Sequence, residues 1–509
     1  MMANGEDTVD LLVVGGGING VGIARDAAGR GLSVALCEQG DLGGATSSAS
    51  TKLVHGGLRD LEHVEFRLVR ESLAEREALL AAAPHIVRPL RFVLPHRNIA
   101  RPAWMVRLGL FLYDHLAPHP SLPGCRRVDL RRDPAGGPLK DDAEKGFEYF
   151  DCWVDDARLV VLNAMQAAAL GAKIMTRTRL MAARRGEDMW EARLLDLRSD
   201  AEFPITARAL INVAGPWAHR LAEDVLGLEG DKPLSLVKGS HFVVPRIYAD
   251  DHALILQNPD GRVVFIIPFE GRFSLIGTTE VPFAGDPARV AIDDQETDYL
   301  LSSVNAYLAR PVKAADIVWD FAGVRPLFGD GADDPTAITR DYVLEIDMAP
   351  GRAGVISVFG GKITTYRRLA EKVVGSLAPR FPALGGPWTE GAVLPGGDFG
   401  AGDWGDFTGA LAAAYPDLDP DYLEALARRH GSRVHDVLGP AQRTADLGVN
   451  FGGGLYQCEV DYLIENEWAE TADDVLWRRT KAGLAMDNAE KAALQDYMSK
   501  AEAPAHAAP

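Results

Sequence analysis

The sequence predicts an α/β + α chain: a Rossmann-like dinucleotide-binding domain assembled from discontinuous segments, an antiparallel-sheet cap over a substrate, and a C-terminal helical domain. Three observations carry this reading. A strand, a G-x-G-x-x-G turn, a helix and a second strand follow one another between Val9 and Glu38. Buried-strand runs return as far downstream as Val355 to Phe359, with alternating segments between them. Past Pro395 helical periodicity takes over. At 509 residues the chain is too long for one core and suggests two or three domains. The expected division is 1–80, 151–230 and 333–388 for the nucleotide, 81–150 and 231–332 for the cap, and 389–509 for the helices.

A hydrophobic share of 47% and a charged share of 25% describe a soluble globular chain, and a net charge of −19 argues against a nucleic-acid partner. Cys37, Cys125, Cys152 and Cys458 form no C-x-x-C pair, so neither a metal site nor a disulfide framework is indicated, and a reducing cytoplasm fits. Met1 to Thr8 lacks the pattern of a secretory signal, and no apolar run approaches the roughly 20 residues that span a bilayer.

Taken in order, Val9 to Val14 is a buried strand. In the turn that follows, Gly15 allows the tight bend, Gly17 lets backbone approach a pyrophosphate, and Gly20 lets the helix of Val21 to Arg30 pack on the strand. Ile18 and Asn19 sit at the helix start, beside the phosphates. Ser33 to Cys37 is the second strand, with Glu38 at its end to accept hydrogen bonds from the ribose hydroxyls. The fingerprint alone leaves NAD and FAD open. Thr46, Ser47, Ser48 and Ser50, with Lys52 and Leu53, tip the balance to FAD, because hydroxyls there can serve a diphosphate and ribityl chain.

Further on, Glu62 to Ala83 reads as a helix and Asp155 to Gly171 as another, followed by a strand at Lys173 to Thr178. Alternation between Ala182 and Ala209 predicts an antiparallel meander, and Ala209 to Val213 a buried strand leading to Ala214, Gly215 and Pro216. Strand-like runs at His241 to Pro245, Val263 to Pro268 and Phe273 to Gly277 form the cap sheet, with a helix at Asp293 to Leu308. Val355 to Phe359 leads into a helix over Thr364 to Leu377. Helical stretches follow at Tyr422 to Val437, Val460 to Glu467 and Ala472 to Leu484.

The motifs Gly15 to Gly20, Ala45 to Ser50, His55-Gly56-Gly57-Leu58-Arg59, Asp151 to Leu159, Lys238-Gly239-Ser240-His241, Gly323 to Leu327, Phe359 to Tyr366 and Trp477 to Lys481 together resemble the FAD-dependent glycerol-3-phosphate dehydrogenases of aerobic bacteria, over almost the whole chain. The resemblance implies FAD as cofactor and oxidation of sn-glycerol 3-phosphate to dihydroxyacetone phosphate by hydride transfer to flavin N5. Electrons would go to ubiquinone or menaquinone, from a position on the cytoplasmic membrane surface; a homodimer stays open. It also implies that the strand near Arg177 lies beside the adenine, that Ala214 and Gly215 return to the FAD, and that Gly361, Lys362, Ile363 and Thr364 bring a helix N-terminus to the flavin.

The substrate phosphate calls for fixed cations, and Arg59, Arg325, Arg340 and Lys362 match the family's, with the Thr278 hydroxyl beside them. His55 is the natural general base, against a packing role; Arg325 competes to polarise the alcohol. Asp60 stands where the family pattern commonly has Tyr, which puts one substrate contact in doubt. Other readings remain: an oxidase that reduces oxygen, an amine or amino-acid oxidase on the same fold, and a non-catalytic flavin-fold binding protein. Finally, Arg88, Arg91, Arg97, Arg101, Arg107, Arg126, Arg127, Arg131 and Arg132 surround the apolar run Trp104 to Tyr113. This segment is expected either to bind a membrane surface or to form a core helix.

Overall fold

The structure, a computed structural model, describes residues 7–58, 65–96, 102–117, 121–228, 234–328, 341–399 and 404–501. A first sheet runs in the order Val343–Asp347, Gly354–Phe359, Ala201–Asn212, Asp7–Val14, Val34–Cys37, Lys173–Met175. All neighbours in it are parallel except the edge strand Val343–Asp347. Alternation on the first strand explains its burial on both sides. Leu11 and Val13 pack with the helices Ile18–Gly29, Asp156–Ala169 and Tyr366–Gly375. Leu12 and Val14 pack with Trp190 and Leu194 of the meander. That meander is Thr178–Arg185, Trp190–Asp196 and Ala201–Asn212, the last strand pairing antiparallel on one stretch and parallel on another.

The strand expected over Lys173 to Thr178 stops at Met175, because Arg177 takes a left-handed backbone (φ 50°) that reverses the chain. The nucleotide sheet is thus built from pieces far apart in sequence, and the fold class is as the sequence predicts.

A second sheet contains Leu53–Val54, Val87–Pro95, Lys145–Val154, His252–Gln257, Val263–Phe269, Phe273–Gly277, Leu234–Pro245 and Trp319–Phe328. One of its faces, with Phe92, Tyr149, Ile267 and Leu275, belongs to the cluster that reaches Phe265, Trp319 and Phe321 beside the cleft. The opposite face, with Val93, Phe242, Leu254 and Ile276, is covered by Leu300 and Val304 of helix Asp294–Asn305. A capping box between Asp293 and Glu296 starts that helix.

Helix Ala103–His115 buries only Leu110 and Tyr113. Trp104 is 65% exposed, Leu108 50% and Phe111 55%; with spacings of four and three residues they share one face. The core-helix alternative for this run therefore fails. Several arginines around it are spent within the fold: Arg91 and Arg126 on Glu148, and Arg88 over the Trp153 ring. Arg107 and Arg127 are exposed; Arg97 and Arg101 lie outside the described residues. No helix among the described residues is long and apolar enough to cross a membrane.

The helical region past Trp404 has its own core, with Leu411, Leu423, Leu426, Val460, Leu463 and Leu494. The stretch expected over Tyr422 to Val437 is two helices, Pro420–His430 and Val434–Leu438, parted at Gly431 (φ 57°). Likewise Ala472 to Leu484 is not one α-helix but a π-helical segment, Asp474–Arg479, followed after a left-handed Lys481 by a short 3-10 turn. The unexpected helices Trp404–Ala414 and Asn488–Lys500 complete the region.

Buried ion pairs bind it to the nucleotide half. Arg479 Nη1 lies 2.7 Å from Asp41, Lys481 Nζ 3.1 Å from Asp155, Arg158 Nη2 2.9 Å from Glu467, and Arg177 Nη2 2.8 Å from Asp474.

Candidate active site

The glycine turn is shaped by contact. A Cβ on Gly15 would sit 2.5 Å from the Val213 carbonyl oxygen, and one on Gly20 would sit 1.9 Å from that of Gly15. Only glycine lets the strand end and the helix start come this close, and the helix N-terminus is left facing a cleft. The cleft holds about 1050 Å³, at the top of the roughly 300–1,000 Å³ usual for small-molecule sites.

Gly15, Gly17, Ile18, Asn19, Glu38, Thr46, Ser47, Ser48, Ser50, Leu53, Arg177, Ala214, Gly215, Gly361, Lys362, Ile363 and Thr364 all line it, as do His55, Thr278 and Arg325. Gly20 lies behind them as a packing residue. Arg59 and Arg340, with Asp60, lie outside the described residues.

Individual groups show what the cleft offers. Glu38 Oε2 accepts from Gly16 N at 2.7 Å and Oε1 from Gly40 N at 2.6 Å, so each oxygen keeps a lone pair for a ribose hydroxyl. Burial pushes its carboxyl up, against the pull of those two amides. Ser47 Oγ accepts from Ile18 N (3.0 Å), a capping contact at the helix start. Asn19 Nδ2 donates to the Gly360 carbonyl at 3.2 Å, while its buried Oδ1 has no hydrogen-bond partner in the protein. A buried amide oxygen left so at the mouth of a helix fits a donor on a bound ligand. Gly360 and Gly361 take positive φ (76° and 100°), and a Cβ on Gly361 would press on Asn19 Nδ2 at 2.9 Å. The residues present fit FAD.

Of the expected cofactor contacts, Lys52 lies outside the cleft lining, while Ser50 and Arg177 line the cleft with polar groups already engaged by the protein. The Lys52 ammonium is buried behind the loop, 2.9 Å from both carboxylate oxygens of Asp156 and from the Ser48 carbonyl, so this side chain holds the loop and does not reach the cleft. Ser50 Oγ donates to the same carboxylate at 2.7 Å. The Arg177 N–H donates to the Gly40 carbonyl, leaving only its carbonyl, which already accepts from Leu197, to meet an adenine. Asp156, the counter-charge that organises the loop, carried no sequence signal beyond its place in the motif Asp151 to Leu159. Trp477 and Arg478 were also missed as cleft residues. Trp477 stacks on Trp319 at 4.9 Å, and Arg478 pairs with Asp41 and Asp474.

On the substrate side, Arg325 Nη2 lies 3.3 Å from Thr278 Oγ1, and Nη1 lies 3.8 Å from Glu280. Gly239, on the neighbouring strand, makes room for them: a Cβ there would be 2.7 Å from the guanidinium. The turn His55-Gly56-Gly57 is held at every amide. His55 N donates to Thr364 Oγ1 (3.3 Å), Gly56 N to Tyr113 Oη (2.8 Å), and Gly57 N to His55 Nδ1 (3.0 Å). Since a backbone N–H can only donate, the neutral His55 ring carries its proton on Nε2. Behind this wall His241 Nε2 meets Thr51 Oγ1 at 3.0 Å and its ring stacks on Phe321. Burial holds His241 well below the usual histidine range, with Arg325 and Lys52 adding to the effect.

With this geometry in hand, comparison with known proteins decides the family. Residues 10–367 match the model of the FAD dependent oxidoreductases, and residues 388–501 that of the C-terminal domain of alpha-glycerophosphate oxidase. The glycerol-3-phosphate dehydrogenase of Pseudomonas aeruginosa is 54% identical, over 97% of this chain and 95% of its own length. The chain belongs to the FAD-dependent glycerol-3-phosphate dehydrogenase family. Within reach of that family lies the D-erythritol 1-phosphate dehydrogenase of Brucella abortus, 50% identical over 97% of this chain and 98% of its own. The crystal structure of a glycerol-3-phosphate dehydrogenase from Bacillus halodurans complexed with FAD superposes with a TM-score of 0.76 at 27% identity, covering 97% of this chain and 94% of that one. Membership makes FAD the cofactor, and the amino-acid oxidase alternative falls away.

Proposed function

We propose that this chain oxidises sn-glycerol 3-phosphate to dihydroxyacetone phosphate and delivers the electrons to a membrane quinone. The observation that carries the reading is the placement of Arg325, Thr278, His55 and Lys362 on one cleft with the nucleotide turn, in a chain 54% identical to a glycerol-3-phosphate dehydrogenase.

FAD supplies the hydride acceptor. The chain's own residues do the rest. Arg325, steadied by Thr278, presents a planar fork to an oxygen of the substrate, and Lys362 adds a second cation at the start of the 3-10 turn Ile363–Thr365. His55 is held through Nδ1 by Gly57 N–H. To act as the base the ring gives up that bond, carries its own proton on Nδ1 and takes the alcohol proton at Nε2 as the carbinol hydride leaves.

Anaerobic addition of glycerol 3-phosphate should bleach the flavin, and D-erythritol 1-phosphate serves as the competing substrate because of the Brucella abortus relative. Bleaching by the tetritol phosphate alone overturns the triol assignment. Rapid reoxidation by oxygen with none by a quinone analogue would make the enzyme an oxidase. Arg325→Leu is expected to lower kcat and kcat/KM together by about 10²-fold; a change in KM alone removes Arg325 from the transition state. Lys362→Met is expected to lower the flavin midpoint potential, read by potentiometry.

The quinone reading places the protein on the cytoplasmic membrane surface. Trp104, Met105, Leu108 and Phe111 supply an exposed apolar face on helix Ala103–His115, with Arg107 beside them. Each basic residue near anionic lipid contributes about 1 kcal/mol. Leu108→Gln with Phe111→Gln should abolish co-sedimentation with anionic vesicles, and Arg107→Gln should weaken it. Retention of full binding by the first variant sinks this surface as the contact.

A further inference from the structure

Tyr113 stands at the far end of the helix that exposes Trp104, Leu108 and Phe111, yet it is buried and reaches the catalytic turn. Its hydroxyl accepts from Gly56 N at 2.8 Å and donates to Asp151 at 2.7 Å. Asp151 is itself buried, lines the cleft, and is fixed by Arg76 Nη1 at 2.9 Å. Arg76 also donates to the Phe150 carbonyl at 3.0 Å, which ties the carboxylate to the strand Lys145–Val154. The approach is close enough to demand glycine: a Cβ on Gly56 would lie 2.6 Å from the Tyr113 oxygen and 2.4 Å from Leu73 Cδ2. Without the hydroxyl, Gly56 N keeps only a 3.3 Å contact with Asp151 Oδ1.

We infer that Tyr113, acting through the Gly56 amide and backed by Asp151 and Arg76, is a positioning residue that sets the placement of the His55 ring over the substrate. Of the three amides in the turn, Gly57 binds the His55 ring itself and His55 is held by Thr364 at 3.3 Å. The short Tyr113 contact therefore decides where the middle of the turn sits. Arg325 stands on the strand Trp319–Phe328 and Thr278 directly follows the strand Phe273–Gly277, so substrate binding does not depend on this contact. The structure thereby makes one helix carry both the exposed apolar face and the hydroxyl that registers the turn.

The inference rests on the cleft being catalytic, and the test separates the two. In flavin-loaded enzyme assayed with glycerol 3-phosphate and a soluble dye acceptor, Tyr113→Phe should lower kcat roughly tenfold with KM unchanged. In a His55→Gln background the same substitution should have no further effect, since contacts acting as one unit are non-additive. Tyr113→Met, which fills the pocket without a hydroxyl, repeats the test should the Phe variant not load flavin. A kcat equal to wild type, or a full tenfold loss in the His55→Gln background, overturns the positioning role. A wild type that turns over neither glycerol 3-phosphate nor D-erythritol 1-phosphate overturns the catalytic reading and this inference with it.

Discussion

Along the wall made by Gly15 to Gly20 and Gly360 to Gly361, binding capacity comes from backbone amides, two turns with positive φ, and uncharged side chains such as Asn19 and Ser47. Along the seam with the C-terminal region, the cleft is backed by full charges: Asp41 with Arg478 and Arg479, Asp155 with Lys481, Arg177 with Asp474. Each of these charges meets an opposite one at contact distance. A dinucleotide carries its own negative charge, so amide dipoles can hold it without a buried cation that must be neutralised when the ligand is absent. Charges used for docking two regions are worth having only when paired, and then they fix register more than they add stability.

The largest effect that separates the two walls should come from the glycine side. Gly20→Val puts a side chain where 1.9 Å is available and should leave the protein without flavin, read as the ratio of flavin to protein absorbance. Full flavin content in that variant would show that the turn can move.

Next comes the charged side, where breaking one pair leaves a buried carboxylate short of a partner. Arg479→Met leaves Asp41 buried, 3% exposed, with Arg478 as its remaining cation, and should cost about 1–3 kcal/mol in urea unfolding. Replacing both, as Asp41→Leu with Arg479→Met, should cost much less, and equal costs would mean that packing rather than charge is lost.

A third prediction concerns acid. Glu459, beside Arg429 and His430, is buried yet held down to about 2 by those charges, and Asp474 is likewise held to about 2 by Arg177 and Arg478. Their folded values lie below the ordinary 4.5 and 3.8. Their contribution is complete above those values and is lost as pH falls towards about 2. His85 is buried at the junction with the helical region and pushed down to about 3 from 6.5. It folds neutral, so its contribution is complete above pH 6.5 and falls away from there downwards. The seam should therefore weaken in two stages on acidification. His85→Phe should shrink the upper stage, by at most about 1.4 kcal/mol per pH unit, the rest staying with His430, which burial also holds low. An unchanged pH profile of the thermal midpoint between 6.5 and 4 would reject this role for His85.

The smallest effect returns to the amide wall. Ser47→Ala loses one capping acceptor and should lower stability by about 1 kcal/mol, measured by urea unfolding.

The same contrast explains what could be read in the sequence. The glycine turn, Glu38 and the hydroxyl loop are local: their geometry is set within a few residues, so spacing alone announces them. Lys52 looked like a cofactor ligand because its partner Asp156 lies over a hundred positions away and no periodicity links them. Arg177 meets the carboxylate of Asp474 at a separation of 297 positions, for the same reason without a sequence trace. The helix Ala103–His115 was legible as amphipathic, but which side faced water required the sheet beneath it. The break at Lys481 follows from a left-handed residue held by Asp155, again a tertiary demand that overrides helical periodicity.

Trp477 and Arg478, which close the cleft that Gly15 opens, also impose an order on biogenesis. The fingerprint leaves the ribosome first, followed by the strand Ala201–Asn212, the cap and the strand Gly354–Phe359; the closing pair comes far later. Until then the cleft lacks one wall, and Asp41 and Asp155 wait without Arg479 and Lys481. Flavin loading is thus expected to be a late event. A nascent chain halted before Trp477 should emerge colourless even though every glycine of the fingerprint is already in place.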